Sequence, residues 1–95
     1  MPINIPFTAR VSVPEGVLVR SLEGESVVLN LKTEKYFGLD EVGTRMWTLL
    51  TDAGNIQSAY DSLAAEYDVE PAQLRTDIER LIGELVEHGL LTVSE

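Results

Sequence analysis

The chain of 95 residues contains no cysteine, a single histidine, and no apolar run near the roughly 18 residues that a membrane-spanning helix needs. Without cysteine there is no disulfide to staple the fold and no thiolate to hold a metal, and one imidazole, His88, cannot complete the common zinc sites. Packing alone must hold the molecule together. At 44% hydrophobic composition, one compact core is within reach of a single domain. The opening stretch MPINIPFTARVSVPEG has no basic head followed by an apolar segment, so no secretory signal is expected. The chain reads as soluble and cytoplasmic, with no membrane partner.

Positive charge is scarce too, and unevenly spread. The net charge is −9, and residues 46–95 hold ten acidic side chains against two basic ones, Arg75 and Arg80. Residues 10–45 are nearly balanced, with six acids and five bases. Affinity for nucleic acid comes mainly from neutralising phosphates with Lys and Arg, so nucleic acid is not an expected partner. The catalytic inventory is equally thin. The seven glycines form no phosphate-cradling motif and the carboxylates no calcium loop. His88, beside the end of a helix, reads as a partner for the helix dipole rather than as a base. Neither catalysis nor a cofactor nor a metal is expected.

What is present is a clear order of elements. Residues 1–15, with Pro2, Pro6 and Pro14, read as an N-terminal extended arm, and residues 16–95 as the domain. VLVRSL is a strand, EGES (Glu23 to Ser26) a hairpin turn with Gly24 free to take a positive φ, and SVVLNL a second strand. In that second strand Val27, Leu29 and Leu31 make one cleanly apolar face, while Val28, Asn30 and Lys32 make a mixed one. YFGL is the third strand. Asp40 caps a helix over about residues 41–50, Asn55 caps one running to about Tyr67, and Pro71 opens a third that Gly89 ends. LLTV either returns as a short strand or packs down. A three-stranded antiparallel sheet followed by three helices predicts an α+β domain of the winged helix-turn-helix type.

Two features remain after the core is assigned. The third strand comes last in the meander and should be a sheet edge, with unpaired N–H and C=O groups that an added peptide strand could use. Alternation puts Tyr36 and Gly38 on one face and Phe37 and Leu39 on the other, and Gly38 leaves room for another backbone to approach. Alongside, the third helix carries Leu74, Ile78, Leu81, Ile82 and Leu85 as a stripe of about 100°, widened by Val86. Either that stripe is wholly buried, or one flank lines an open groove beside the strand. Periodicity leaves both open.

The ordered set of residues resembles a known family. KYFGLDEVGTRMWTLL, with Tyr36, Phe37, Leu39, Asp40, Gly43 and Trp47, is followed by AAEYDV, by Asp77–Ile78, by the Leu81/Leu85 spacing and by HGLL. This is similar to the PqqD-like RiPP recognition elements, especially the discrete B1 proteins of lasso peptide biosynthesis, over about residues 16–93. Asp40 stands where the family often has Asn, and either residue caps a helix. The resemblance implies a non-catalytic module that binds the leader of a ribosomally made precursor as an extra strand on the third strand, against the third helix. It implies peptide-binding roles for Tyr36, Phe37, Gly38, Leu39, Leu74, Asp77, Ile78 and Leu81, without separating contacts from core. Asp77 could meet a polar leader group or be held locally, and Trp47 reads as core support. A bulky charge at Ile78 is expected to weaken binding while the domain still folds. Further implied partners are a B2-type leader peptidase and a cyclase, with the module itself a monomer or weak dimer. Two other functions stay open: a PqqD-type peptide chaperone in quinone cofactor biosynthesis, and a winged-helix DNA-binding regulator. The second would have to read DNA with a third helix carrying Glu79, Glu84 and Glu87 against Arg80.

Overall fold

The computed structural model describes residues 7–94, so residues 1–6 of the expected arm lie outside the described residues. The elements are β1 (Arg10–Ser12), β2 (Val17–Leu22), β3 (Glu25–Asn30), β4 (Tyr36–Leu39), α1 (Glu41–Ala53), α2 (Ile56–Glu66), α3 (Pro71–Glu87) and β5 (Thr92–Ser94). β2, β3 and β4 form the antiparallel meander, in that order, and the three helices follow it. The expected α+β architecture is the observed one.

Local chemistry explains the boundaries. Glu23 and Gly24 both take positive φ, the geometry a two-residue hairpin needs, so Leu22 pairs with Glu25. The Asp40 carboxylate accepts the Gly43 N–H at 2.7 Å and Asn55 accepts that of Ser58 at 2.8 Å, starting α1 and α2. A Cβ on Gly43 would sit 3.2 Å from Asp40 Oδ1 and 3.3 Å from Leu39 Cδ2, so glycine lets α1 start this close to β4 without displacing either side chain. α3 ends in a Schellman arrangement: Gly89 is left-handed, its N–H reaches Val86 O, and Leu90 N–H reaches Leu85 O at 2.8 Å. Leu85 and Leu90 are both fully buried, which closes that turn with an apolar contact.

The described part of the arm is packed into the molecule. Phe7, Ala9 and Val11 are buried, and the carbonyls of Phe7 and Ala9 accept the first-turn N–H groups of Gln57 and Ile56. β1 pairs antiparallel with β5, so LLTV does return as a strand, its partner being the arm rather than the meander. Leu90 and Leu91 anchor it in the core with Trp47, Leu50, Ile56, Leu63, Ile78 and Ile82.

The second strand turns its mixed face inward. Ser26, Val28 and Asn30 are buried, while Val27 and Leu31 are 42% and 55% exposed. Among the described residues, the buried side-chain polar atoms are all satisfied. Ser26 shares a hydrogen bond with Thr44 at 2.8 Å. Asn30 donates to Gly89 O at 2.8 Å and accepts from the Lys32 and Thr33 N–H groups. Bonds to Thr44 of α1, to the Gly89 carbonyl just past α3 and to the following turn let this mixed face be buried without orphaned polar groups.

Candidate functional site

β4 forms one rim of the sheet, with β3 on one side and, among the described residues, no strand on the other. Asn30 N–H donates to Lys35 O at 2.9 Å, and the register then places Val28 opposite Phe37 and Ser26 opposite Leu39 as hydrogen-bonded pairs. Alternation therefore turns the N–H and C=O of Tyr36 and Gly38 away from β3, toward the open side. The side chains alternate too. Leu39 is buried and Phe37 half-buried on the helical side, while Tyr36 is 68% exposed on the outer face. A Cβ at Gly38 would meet nothing within 4 Å.

Beside this rim lies a groove of about 410 Å³, open to solvent, bounded by β4, the first turns of α1, and α3. Phe37, Leu39, Val42, Met46 and Leu81 give it apolar surface; Asp40, Asp77, Arg80 and Glu84 give it charge. Asp77 takes a hydrogen bond from Gln73 at 2.8 Å within α3. At the far end of α3, His88 lies against the Phe37 ring and its Nδ1 is 2.8 Å from Glu84 O. The third helix thus does both things that periodicity left open, burying one part of its stripe and lending the groove its other flank.

Of the residues singled out from the sequence, Phe37, Gly38, Leu39, Asp77 and Leu81 are brought together around the groove. Leu74 and Ile78 do not line it; they are 3% and 0% exposed and form the core beneath. The side chain of Tyr36 is on the opposite face of the sheet, leaving only its main chain at the rim. Asp40, Val42, Gly43, Met46, Arg80 and Glu84 line the groove without having been picked as site residues. Val42 had a partial signal in the sequence, an apolar residue in the first turn of a helix one turn ahead of Met46; the structure leaves it 41% exposed. Arg80 and Glu84 share a helical face with Asp77, but that spacing equally describes a solvated face. Among the described residues no His/Asp/Glu group is placed to hold a metal, and no helix is long and apolar enough to cross a membrane.

The profile of the family "Coenzyme PQQ synthesis protein D (PqqD)" matches residues 25–91, from the second strand of the meander to the end of the core. The chain belongs to the PqqD family. A curated relative, "PqqA binding protein" of Rhodopseudomonas palustris (strain BisB5), is 23% identical over 90 residues, covering 95% of this chain and 88% of the relative. Among solved structures, "TbiB1 in Complex with the TbiA(beta) Leader Peptide" is 32% identical with a TM-score of 0.78, covering 84% of this chain and 93% of that one. "Lasso peptide synthetase B1 complexed with the leader peptide" is 22% identical with a TM-score of 0.77, covering 87% and 98%, and shares the fold.

Proposed function

We propose that this chain is a recognition module, without catalytic activity of its own, that binds the leader of a ribosomally synthesised precursor of lasso type. The leader adds as a strand to β4 and lays alternate side chains into the groove against α3. What carries the reading is one arrangement: outward main-chain groups of Tyr36 and Gly38 directly beside a groove with apolar and charged walls. A similar chain, 32% identical, was solved with a leader peptide, which supports the same ligand class here. The bound precursor would then be presented in the cytoplasm to a B2-type leader peptidase and to a cyclase.

A short strand pairing plus two or three buried anchors, less the cost of ordering a flexible peptide, is compatible with an affinity between about 1 nM and 1 μM. Fluorescence anisotropy with a labelled synthetic leader from the neighbouring precursor gene tests this. Saturable binding in that range, lost on scrambling the leader, is expected, and its absence defeats the reading. Presentation is tested separately, as faster leader cleavage by the peptidase when the module is added.

A second reading has its own support. The family profile and the relative named for PqqA favour a PqqA-type peptide in quinone cofactor biosynthesis. The same assay distinguishes them, since a PqqA peptide binding more tightly than the lasso leader would move the chain to that pathway.

A further inference from the structure

The groove carries charge of mainly one sign, and so does the half of the chain that supplies its helical wall. Three acids, Asp40, Asp77 and Glu84, line it against one base, Arg80. Residues 46–95, which include all of α3, hold ten acids and two bases. The other of those bases, Arg75, is engaged over the Phe7 ring at 4.2 Å and does not line the groove. A concave wall of one charge draws in and retains ligands of the opposite charge.

Helix geometry narrows this to one stretch of α3. At about 100° per residue, Asp77 and Glu84 lie about 20° apart around the helix and about 10 Å apart along it. Leu81 falls between them toward the core and Arg80 between them toward solvent. Two of the acids already have partners: Asp77 accepts from the Gln73 amide at 2.8 Å, and Asp40 from the Gly43 N–H at 2.7 Å. Glu84 differs. It is half-buried and lines the groove, yet the one ion pair among the described residues is Arg45–Glu66. Arg80 and His88 are each one turn from Glu84, but His88 Nδ1 turns to the main-chain carbonyl of Glu84 and leaves its carboxylate alone.

We infer that the groove selects a basic leader, with a Lys or Arg of the bound peptide laid across Leu81 and paired to Glu84. The inference rests on the groove being the leader site and adds the charge of what fills it. The stem of a Lys or Arg covers apolar surface such as Leu81 and Phe37 while its head reaches the carboxylate. A leader Asp or Glu at the same place meets Asp77 and Glu84 and is rejected. Arg80 works against the match, because an exposed cation at the lip repels an incoming one. Its removal should therefore strengthen binding, an outcome that a merely structural role for this wall does not produce.

The test uses the full chain and the synthetic leader from the neighbouring precursor gene, beside a copy with every Lys and Arg replaced by Gln. Anisotropy titrations at about 0.1 M and about 1 M sodium chloride span screening lengths of about 10 Å and about 3 Å. The natural leader should bind several-fold more weakly at the higher salt, and the Gln copy should bind weakly at both. At low salt Glu84→Gln should weaken the natural leader about two- to five-fold, the range of a part-exposed charge pair, and leave the Gln copy unaffected. Arg80→Gln should tighten binding of the natural leader. Thermal melts of both variants should match wild type. Equal affinity for the two peptides, no effect of Glu84→Gln, or weaker binding by Arg80→Gln overturns the inference and leaves the leader reading standing. A natural leader that does not bind the wild-type chain at all defeats both.

Discussion

Phe37 of β4 packs its ring against that of His88, with centroids 5.4 Å apart and planes inclined at 58°. The contact joins the open rim of the sheet to the residue that caps α3. Among the described residues, Phe37 is the only aromatic side chain lining that groove. Phe37→Ala should therefore do two things: lower stability by about 1–3 kcal/mol, since the ring is only half-buried, and weaken peptide binding by more than the stability loss explains. His88→Ala should leave the groove lining intact and weaken binding only a few-fold. Urea denaturation beside anisotropy titration separates these, and equal binding by wild type and Phe37→Ala would remove Phe37 from the site.

Gly38 offers a sharper contrast. Its N–H points to the open side, so proline there breaks no bond to β3 but deletes a donor that an added strand would use. A lost main-chain hydrogen bond accounts for about 0.5–1.5 kcal/mol, and the ring adds a clash with an incoming backbone, so affinity should fall about ten-fold or more. Gly38→Ala keeps the N–H, has open space for its Cβ and needs no positive φ. It should bind nearly as wild type while gaining about 0.4–1 kcal/mol of stability. If the two variants bound alike, strand addition at β4 would be the wrong mode.

On α3 the structure corrects one expectation. Ile78 is fully buried, so an Asp there strands a charge in the core and should unfold the domain rather than spare it. The informative position is Leu81, three residues further along α3, which lines the groove and is only part-buried against the core. Leu81→Asp should retain a cooperative thermal transition and lose most of its peptide affinity. A variant that stayed folded and bound the peptide normally would show that α3 is no wall of the site.

These two neighbours show what the sequence could and could not reveal. Helix caps, the hairpin turn and the order of elements were legible because each rests on local chemistry: Asp40 and Asn55 accept amides three residues ahead, and Glu23–Gly24 take the φ values a tight turn demands. That β4 is an edge followed from its place in the meander. By contrast, Leu74, Ile78 and Leu81 are equivalent in an apolar stripe, and only the placement of the sheet decides which stays open. The inward face of β3 was hidden for the same reason. Val27, Leu29 and Leu31 look like the core face, but Asn30 finds Gly89, fifty-nine residues away, and that partner has no local signature. Packing of the arm on α2 depends likewise on long-range bonds from Phe7 and Ala9.

The last prediction concerns pH. Arg45 on α1 grips Glu66 on α2 through Nε to Oε1 at 2.9 Å and Nη2 to Oε2 at 2.8 Å. Hydrogen bonding by Arg45 holds the Glu66 carboxyl below its ordinary value, and the same bond raises the guanidinium further above any working pH. The folded state therefore binds this proton less readily than the unfolded chain does. Whatever stability the pair contributes is complete above the ordinary carboxylate range and disappears as pH falls through it toward the lowered folded value. Both side chains are well exposed, at 43% and 38%, so the contribution is small and screened by salt. Glu66→Gln should accordingly melt slightly below wild type at neutral pH and low salt, with the gap closing below about pH 4. A gap that widened on acidification would mean that the pair does not link α1 to α2 as the structure has it.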